Sequence, residues 1–434
     1  MKSYPAYKNS GVPWLGEIPE HWEIQRFANT FRERKTKVSD KEYPPISVTK
    51  QGILPQLEKV AKTDNGDNRK LVCEGDFVIN SRSDRKGSSG ISAYTGSVSL
   101  INHVFIPMEG WDRSFLHHLL RSVPFQEEFY QKGHGIVADL WTTRYSDISS
   151  SYLPVPPLSE QAAIASYLDR KCGEIDEMVR RRQAIIERLR ELKQALIAKA
   201  VTKGLHPDVP MKDSGIPWLG QIPEGWSVQP LKYMFSFRKG LPITKADLID
   251  EGLPVISYGQ VHSRDNSGTR LTEQLLRYVS PDYAVSYPNA AVPINSFIFA
   301  DTSEDLEGCG NCVYNDSMPN LFAGYHSIIL NTISRNSARY LAYLFKSDTW
   351  RKQIRTAVSG VKVFSISKRI LKACSLLVPP LPEQAAIVAY LDKKCAAIDE
   401  LISRHGQIVE KLKELKASAI AHVVTGKVDI RERA

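Results

Sequence analysis

Apolar residues recur at alternating steps of three and four in two separate stretches of the chain, a spacing that predicts two amphipathic helices. The stripe positions of the first stretch are Ile175, Met178, Arg182, Ile185, Leu189, Leu192 and Leu196. The stripe positions of the second stretch are Ile398, Leu401, His405, Ile408, Leu412, Leu415 and Ala419. A narrow stripe with this spacing is typical of a coiled coil, so we expect the two helices to cover each other. The alternative is that each stripe packs on its own domain.

Both stretches belong to a longer internal repeat. Residues 156–175 and 379–398 are identical at 14 of 20 positions, with a constant offset of 223. Each copy opens with Pro-Pro-Leu-x-Glu-Gln-Ala-Ala-Ile. A second motif, Ser-Gly-Val-Pro-Trp-Leu-Gly-Glu-Ile-Pro-Glu-His-Trp at 10–22, returns at 214–226 with 10 of 13 positions identical. Repeats of this length indicate two copies of one structural unit.

The order of the repeats predicts the direction in which the helices pair. Each copy runs from domain to helix, and a short link joins Val201 to the next motif at Ser214. Parallel helices would force the second domain to span the whole helix length, whereas antiparallel helices would not. We therefore expect two similar domains at opposite ends of an antiparallel pair, related by a pseudo-twofold axis. A 27-residue helix from Ile175 to Val201 would be about 40 Å long, close to one turn of duplex DNA.

Outside these helices, the pattern predicts mixed helix and strand. Short runs rich in β-branched residues at 45–49, 77–80 and 98–101 predict strands, and residues 113–132 carry a helical period that recurs at 338–354. The predicted fold class is α/β (α+β), with two similar globular domains joined by two long antiparallel coiled-coil helices. The predicted bounds are 1–155 for the first domain, 156–204 for the first helix, 205–378 for the second domain, 379–427 for the second helix and 428–434 for a tail.

The motif at 10–22 predicts a structural loop. Pro13 and Pro19 exclude a helix there. We expect Trp14 and Trp22 to pack inward, close to the end of the far helix. Stacking of these rings on bases is the less favoured alternative, because two domains that read different sequences should share structure and differ in their readers.

Composition narrows the class of protein. A hydrophobic content of 42% and a charged content of 24% are ordinary for a globular protein of 434 residues. Lys and Arg number 57 against 48 Asp and Glu, an excess that favours a polyanionic partner. No apolar run approaches the length of a membrane span, and the N-terminus lacks the core of a signal peptide. We therefore expect a cytoplasmic protein.

The six cysteines do not form an obvious disulfide set. Cys172 and Cys395 occupy the same position of the repeat, and Cys309-Gly-Asn-Cys312 has a spacing found in zinc sites. No second pair of Cys or His stands nearby in the sequence to complete four ligands. We expect reduced thiols and no metal, in keeping with an intracellular protein.

The segment from Ser81 to Gly90 is the strongest candidate for binding. It combines Arg and Lys with hydroxyls and glycines after a predicted strand, and Arg can hold a guanine edge with two hydrogen bonds. A solvated turn is the alternative. A polar segment after residues 254–258 has a similar position in the second half. The candidate DNA-binding residues are Lys50, Arg82, Arg85, Lys86, Ser88, Ser89 and Arg144 in the first half and Tyr258, Gln260, His262, Arg264 and Lys362 in the second.

Motifs for catalysis are missing from the sequence. It contains no Gly-x-x-x-x-Gly-Lys-Ser/Thr phosphate loop, no Gly-x-Gly-x-x-Gly and none of the Asn/Asp-Pro-Pro-Phe/Tyr signatures of adenine methyltransferases. Glu191-Leu192-Lys193 resembles a nuclease fragment, but it recurs as Glu414-Leu415-Lys416 inside the heptads. Solvated helix charge is the better explanation, so we expect no catalytic residues.

The twin motifs resemble those of the specificity subunit of type I restriction–modification systems. The resemblance rests on 10–22, on Pro-Pro-Leu-Ser-Glu-Gln-Ala-Ala-Ile-Ala-x-Tyr-Leu-Asp at 156–169, on Leu-Lys-Glu-Leu-Lys at 412–416, on Val-Thr-Gly-Lys at 424–427, and on their second copies. It implies that two target-recognition domains read the halves of a split DNA sequence. It also implies that the paired helices act as a ruler and dock two methyltransferase subunits, joined by restriction subunits.

The same resemblance implies that this chain binds no cofactor and does no chemistry. S-adenosylmethionine would be bound by the methyltransferase subunits, which modify adenine at N6, and ATP and Mg by the restriction subunits. The protein would act in the cytoplasm, on the DNA of the nucleoid. Two alternatives stay open, namely a coiled-coil adaptor that binds no DNA and the DNA-recognition part of a fused restriction–methylation enzyme.

Overall fold

Two units, each with its own core, make up the chain. The computed structural model describes residues 3–56, 66–135, 141–216, 219–360 and 362–431. The first unit is Met1–Gln183 with Gly406–Ala434, and the second is Ala184–His405. Both units therefore contain a segment of each long helix, and the predicted domain bounds, which treat the helices as separate pieces, stay a prediction. Pro217 and Trp218 of the second motif and Val361 lie outside the described residues.

The first unit combines short strands with three kinds of helix: single-turn, medium and very long. Its strands are β1 Tyr7–Asn9, β2 Glu17–Pro19, β3 Glu23–Arg26, β4 Phe31–Glu33, β5 Lys37–Val38, β6 Ile46–Thr49, β7 Gly52–Pro55, β8 Arg69–Val72, β9 Phe77–Asn80, β10 Ser89–Ile91, β11 Gly96–Val98, β12 Asn102–Pro107 and β13 Tyr152–Val155. Its helices are α1 Phe27–Thr30, α2 Arg113–Arg121, α3 Val123–Gln131, α4 Tyr145–Ile148 and the start of α5 Leu158–Lys203.

The second unit follows the same order with added elements. Its strands are β14 Met211–Asp213, β15 Gln221–Pro223, β16 Ser227–Pro230, β17 Phe235–Lys239, β18 Leu253–Ile256, β19 Arg277–Val279, β20 Ala291–Val292, β21 Ser296–Ala300, β22 Thr302–Ser303, β23 Cys312–Asn315, β24 Leu321–Ala323, β25 Ser327–Thr332, β26 Phe364–Ser365 and β27 Ser375–Val378. Its helices are α6 Tyr258–Val261, α7 Asp282–Ser286, α8 Ala338–Lys346, α9 Asp348–Ala357, α10 Lys368–Ala373 and the start of α11 Leu381–Val424.

The sheets show that the two units share one frame. An antiparallel sheet of order β4-β12-β9-β10 in the first unit corresponds to one of order β17-β25-β21-β23 in the second. In both units the strand before the long helix pairs with the strand after the tryptophan motif, β13 with β3 and β27 with β16. This pairing closes the chain on itself just before each long helix begins.

Helices predicted at 113–132 and 338–354 are each broken into two. Ser122 separates α2 from α3, and Ser347 separates α8 from α9. Each serine hydroxyl accepts the backbone N–H three residues on, which caps the second helix of the pair. The run predicted as a strand at 98–101 is also corrected, because β11 ends at Val98 and a turn leads into β12.

The long helices extend well beyond the 27 residues predicted from the apolar stripe. α5 has 46 residues and α11 has 44, so each is about 65–70 Å long at ~1.5 Å per residue. That length counted the stripe alone, whereas the first turns of each helix pack into a globular core through Ile164 and Leu168 or Ile387 and Leu391. The observed helix ends lie within three residues of the predicted helix bounds 156–204 and 379–427. Glycines at positive φ follow both helices and end them.

In the first unit the segments of the two long helices run in opposite directions. The end of α11, at Val423 and Val424, packs with Ile164 and Leu168 near the start of α5. Further along, the ammonium group of Lys416 contacts both carboxylate oxygens of Asp176, at 2.8 and 2.6 Å. The antiparallel direction of the helix segments, predicted from the order of the repeats, is therefore confirmed in this unit.

The second unit repeats the arrangement with the roles of the helices exchanged. Lys193 on α5 contacts both carboxylate oxygens of Asp399 on α11, each at 2.7 Å. These residues are the repeat equivalents of Lys416 and Asp176. At the end of α5, a Cβ on Gly204 would lie 2.9 Å from a carboxylate oxygen of Glu383, near the start of α11.

Burial corrects which residues form the helix seam. A line of buried or half-buried residues at steps of three and four runs along α5, and the positions 223 residues later on α11 are buried or half-buried too. On α5 the line comprises Cys172, Ile175, Val179, Arg182, Ile186, Leu189, Lys193, Leu196 and Ala200. Every second position of the predicted stripe lies in this observed seam. Among the predicted pairing residues these are Ile175, Leu189 and Leu196 on α5 and Ile398 and Leu412 on α11. The other predicted pairing residues are exposed by 37–49% and lie on a flank: Met178, Ile185, Leu192, Leu401, Ile408 and Leu415.

The predicted stripe differs from the observed seam by one residue at alternate positions, and this difference has a simple physical cause. Starting from a shared position, a step of three or a step of four both stay near the same helix face. The prediction chose the step that met the larger apolar side chain, Leu192 instead of Lys193. The structure places Lys193 toward the other helix because its ammonium group reaches Asp399, while its methylene stem covers apolar surface.

The two sequence motifs hold each other together in each unit. In the first, the indole N–H of Trp22 donates to Glu160 at 3.1 Å, and in the second Trp226 donates to Glu383 at 2.8 Å. Both indole rings are buried, as predicted for Trp22, and Trp14 is partly buried against Phe125. The far end of α11 lies close by, since a Cβ on Gly426 would contact Trp22 at 3.1 Å.

The glutamine that follows each of these glutamates fixes a third element. The side-chain oxygen of Gln161 accepts the backbone N–H of Asp112 at 2.9 Å, and Gln384 accepts that of Ser337 at 2.9 Å. Asp112 and Ser337 are the N-caps of α2 and α8. One Glu-Gln dipeptide thus connects the tryptophan loop, the capped helix and the long helix.

We predict that charge at the seam destabilises the protein while charge on the flank does not. The double variant Leu189→Asp/Leu412→Asp places a carboxylate at one half-buried position in each unit. A loss of about 2 kcal/mol per site would lower the melting temperature by roughly 4–8 °C for units of this size, as measured by thermal unfolding followed by circular dichroism.

The matched control is Leu192→Asp/Leu415→Asp, which makes the same chemical change at exposed positions three residues further on. Its melting temperature should stay within about 2 °C of the wild-type value, since surface changes cost little. Equal destabilisation by both pairs would contradict the corrected seam.

Candidate nucleic-acid interface

The basic segment of the first unit lies between β9 and β10, at one edge of the sheet. Arg82 and Arg85 both approach the carboxylate of Asp84, at 3.0 and 3.7 Å. One carboxylate cannot neutralise two guanidinium groups, so the pair keeps a net positive charge. The side chain of Arg85 is 68% exposed and is therefore the more available of the two.

Other predicted cations gather around this segment. The backbone of Arg82 bridges to Thr142, which brings the exposed Arg144 alongside. Lys50 lies at the tip of the β6–β7 hairpin, where its Cγ would be 3.8 Å from a Cβ on Gly87. Lys86 makes an ion pair with Glu127 and is still 40% exposed. The fold thus collects five separately predicted cations on one surface.

Two predicted contacts in this segment are corrected. Ser88 is 6% exposed and Ser89 is fully buried. The hydroxyl of Ser89 accepts a hydrogen bond from the amide of Gln126 at 3.1 Å. Buried hydroxyls cannot reach DNA, and Ser89 instead attaches the segment to α3.

At the equivalent place, the second unit carries the opposite charge. The β22–β26 pairing of Thr302 with Ser365 matches the bridge from Arg82 to Thr142, so residues 301–311 correspond to 81–88. The later segment contains Asp301, Glu304, Asp305 and Glu307 and no Lys or Arg. The same frame therefore displays a basic loop in one unit and an acidic loop in the other.

The acidic loop lines a cavity of about 700 Å³ that also contains two predicted residues, Tyr258 and His262. The ring of His262 bonds to the carbonyl of Thr302 at 2.8 Å and faces the amide of Asn311 at 3.2 Å. A polar cavity with aromatic walls provides donors, acceptors and a stacking surface for a base edge.

His326 lies at the rim of this cavity and is not among the residues predicted from the sequence. It is exposed, its φ is +53°, and its ring contacts Asp301 at 3.1 Å and the ring of Tyr258 at 5.6 Å between centroids. A histidine held in the left-handed region is uncommon and is found more often at functional sites. No sequence signal marks this backbone conformation.

The remaining predictions for the second unit fall in different places. The side-chain oxygen of Gln260 accepts the backbone N–H of Ser257 at 3.1 Å and so caps α6, while its role as a reader of bases stays a prediction. Arg264 lines a separate cavity of about 650 Å³ next to the helix segments of this unit. Lys362 is exposed and adjoins Val363, which lines the cavity of Tyr258.

Cysteine chemistry does not contribute to these surfaces. All six thiols are free, and Cys309 and Cys312 are buried. Burial raises the pKa of Cys312 to about 12, which keeps its thiol protonated at neutral pH. Within the described residues no cluster of three or more His, Cys, Asp or Glu is arranged to hold a metal ion, and no helix there has the length and apolarity to cross a membrane.

The exposed flanks of the long helices form a second kind of surface. In an antiparallel pair, equivalent flank positions of the two helices face the same side. The first unit therefore presents Met178, Ile408 and Leu415 together, and the second presents Ile185, Leu192 and Leu401. Large apolar side chains spaced seven residues apart and left exposed are typical of a site that another helix covers.

Comparisons with known proteins agree with this arrangement. Residues 223–412 match the family model described as Type I restriction modification DNA specificity domain. The type I restriction enzyme MjaVIII specificity subunit of Methanocaldococcus jannaschii is 22% identical over 432 residues, covering 95% of this chain and 94% of that protein. The EcoKI specificity subunit of Escherichia coli is 23% identical over 213 residues, which cover 48% of this chain and 44% of that one.

A solved structure shares the fold. A chain from a structure determined for complex assembly and conformational transition of the type I R-M system superposes with a TM-score of 0.66 at 17% identity, covering 95% of this chain and 99% of that chain. The shared fold, the family match and the relative that aligns over nearly the whole chain all indicate similarity to type I specificity subunits. The chain is similar over nearly its whole length to type I restriction enzyme specificity subunits, and its residues 223–412 match the DNA specificity domain of that family.

Proposed function

We propose that the chain reads a split duplex DNA target, with one half-site read by each unit. The observation that carries this proposal is the pair of equivalent loops with opposite charge. Residues 81–88 are basic and 301–311 are acidic, although they follow equivalent strands, β9 and β21, of corresponding sheets. A scaffold duplicated for assembly alone has no need for such divergence, whereas two readers of different base sequences do.

The long helices serve as the spacer between the half-sites. We propose that they form an antiparallel coiled coil with pseudo-twofold symmetry, supported by the matching ion pairs Lys416–Asp176 and Lys193–Asp399. A rigid spacer would set the number of base pairs between the half-sites, as dimeric readers do through their twofold geometry.

Each apolar flank is proposed to dock one methyltransferase subunit. The flank of Met178, Ile408 and Leu415 would take one copy, and that of Ile185, Leu192 and Leu401 the other. Because the flanks are equivalent under the repeat, two copies of one partner fit them. Restriction subunits would join this core.

Chemistry is proposed to reside in those partners. S-adenosylmethionine would be bound by the methyltransferase subunits for methylation of adenine N6, and ATP and Mg by the restriction subunits. This chain would supply sequence selection and geometry in the cytoplasm, on the DNA of the nucleoid.

Exchanging the first recognition region should alter one half of the target. Replacing residues 24–150 with those of another family member keeps Glu23 at the start of β3 and the whole of β13, whose pairing closes the unit. Single-molecule sequencing of methylated adenines in cells that express the hybrid should show one new half-site, with the other half and the spacer unchanged. A motif altered in both halves, or in neither, would overturn the division of labour.

Removing the basic loop should weaken recognition of the first half-site. The variant Arg82→Ala/Arg85→Ala/Lys86→Ala deletes three cations, two of which share Asp84. If one arginine holds a guanine, affinity should fall by about 1–3 kcal/mol, with relaxed preference at one base pair, in binding to a panel of single-base target variants.

The same assay at two salt concentrations separates reading from simple attraction. Contacts to phosphate alone would weaken binding to every sequence alike and lower the salt slope by about 0.9 per contact. The control Lys8→Ala/Lys37→Ala/Lys41→Ala removes the same charge from exposed positions of this unit and should keep the base preference. Unchanged affinity in the loop variant would refute a role for the loop in binding.

Charge on the flanks should abolish docking without unfolding the chain. Leu192→Asp alone should prevent binding of one methyltransferase subunit, and Leu192→Asp/Leu415→Asp should prevent binding of both. The reason is that a carboxylate cannot be buried against an apolar helix face. Size-exclusion chromatography with light scattering measures the stoichiometry. The variant Glu191→Ala/Glu414→Ala, changed at the adjacent polar positions, should retain both subunits, and normal assembly of the aspartate variants would exclude the flanks as the docking site.

A further inference from the structure

Three lysines form a positive surface in the second unit, on elements outside the acidic loop 301–311. Lys239 ends β17, and Lys368 and Lys372 lie on α10. We call these residues the lysine patch. Lys239 and Lys372 are exposed and Lys368 is half-buried. In the part of the chain that the structure describes, none of the three makes an ion pair with a carboxylate.

The three ammonium groups are close enough to affect one another. Burial lowers the pKa of Lys368, and the positive charges of Lys239 and Lys372 lower it further. Lys368 donates to the carbonyl of Phe237 at 3.4 Å, and the ammonium group of Lys372 lies 5.4 Å from the centre of the Phe237 ring. Both stems are therefore held over one residue of β17. Clustered like charges without a counter-ion are unfavourable unless a polyanion binds there.

The patch borders a cleft with the chemistry of a phosphate site. The cleft has a volume of about 330 Å³. Its polar side chains are Lys239, Lys368, Ser327, Ser365, Ser367, Asp301 and His326. The single carboxylate, Asp301, is already paired with His326 at 3.1 Å. Ammonium and hydroxyl donors are the groups that proteins most often direct at the DNA backbone.

The first unit lacks this feature at the equivalent place. Lys35 corresponds to Lys239 across the 204-residue offset, and it pairs with Glu33 at 3.4 Å. Tyr145 and Ser149 stand where the second unit has Lys368 and Lys372, 223 residues later. The cations of the first unit are instead on the loop 81–88. The two units thus concentrate positive charge at different sites of the shared frame, on the loop 81–88 in the first and at the lysine patch in the second.

We propose that the lysine patch holds the phosphate backbone of duplex DNA at the second half-site. His326 lines both the cleft of the patch and the cavity of Tyr258 and His262, so a backbone held by the lysines would bring a groove to that cavity. The lysines compensate for the acidic loop, which by itself repels DNA. The inference rests on the proposed DNA-reading function and adds where the second unit grips its target.

The test measures binding of the full-length chain to a fluorescent 40-base-pair duplex of random sequence by anisotropy, over a series of KCl concentrations. The variant Lys239→Ala/Lys368→Ala/Lys372→Ala should bind roughly tenfold or more weakly at 100 mM KCl. The slope of log K against log[KCl] should become shallower by about 2–3, which corresponds to the loss of three phosphate contacts. The charge-preserving variant with Arg at all three positions should bind like the wild type, and it also guards against a folding defect in the alanine variant.

A matched control removes three exposed lysines of the same unit that lie outside the patch, Lys212→Ala/Lys245→Ala/Lys352→Ala. Its slope should change by less than about one unit. A patch variant with the wild-type slope overturns the inference while leaving DNA reading intact, as does a patch variant that binds DNA normally but fails to assemble with its protein partners. A wild-type chain without salt-dependent DNA binding instead refutes the proposed function itself.

Discussion

The Glu-Gln pair at the start of each long helix is the interaction on which the rest of the structure depends: Glu160, Gln161 and Gln384 are buried, and Glu383 is half-buried. Glu160 or Glu383 accepts the indole N–H of the tryptophan loop, and the adjacent Gln161 or Gln384 fixes the helix that follows the sheet. A buried carboxylate and amide are costly unless every partner is in place. This requirement explains why both sequence motifs recur together, since either one alone would leave a polar group unsatisfied.

The hydrogen bonds of the Glu-Gln pair involve only main-chain and core groups. Surface residues far from the pair can therefore differ between the two units. The strand order β4-β12-β9-β10 is repeated as β17-β25-β21-β23, while the loop after the third strand changes from basic to acidic. The frame tolerates this reversal because a loop at a sheet edge contributes little to the core. Rigid strands thus present variable side chains, which is what recognition of different sequences requires.

The two long helices divide their apolar residues between two tasks. Leu189 and Leu412 are half-buried in the seam, whereas Leu192 and Leu415 are 49% and 48% exposed on the flank. A helix with only one covered stripe would not need apolar residues beside it. This exposed apolar surface is what supports the proposed docking of partners, and the lysine at each neighbouring seam position contacts an aspartate of the other helix instead of a hydrophobic partner.

The sequence alone determined the duplication, the two long helices, their opposite direction within each unit and the inward position of Trp22, because periodicity and repeated motifs are local or order-dependent signals. It also located the basic loop around Arg82 and Arg85. Only the tertiary structure decided that Ser89 is buried, that Gln260 is a cap, that Met178 lies on a flank and that Lys239 joins Lys368 and Lys372. Those facts depend on which segments distant in sequence are in contact, and the spacing of side chains along the chain carries no information about such tertiary contacts.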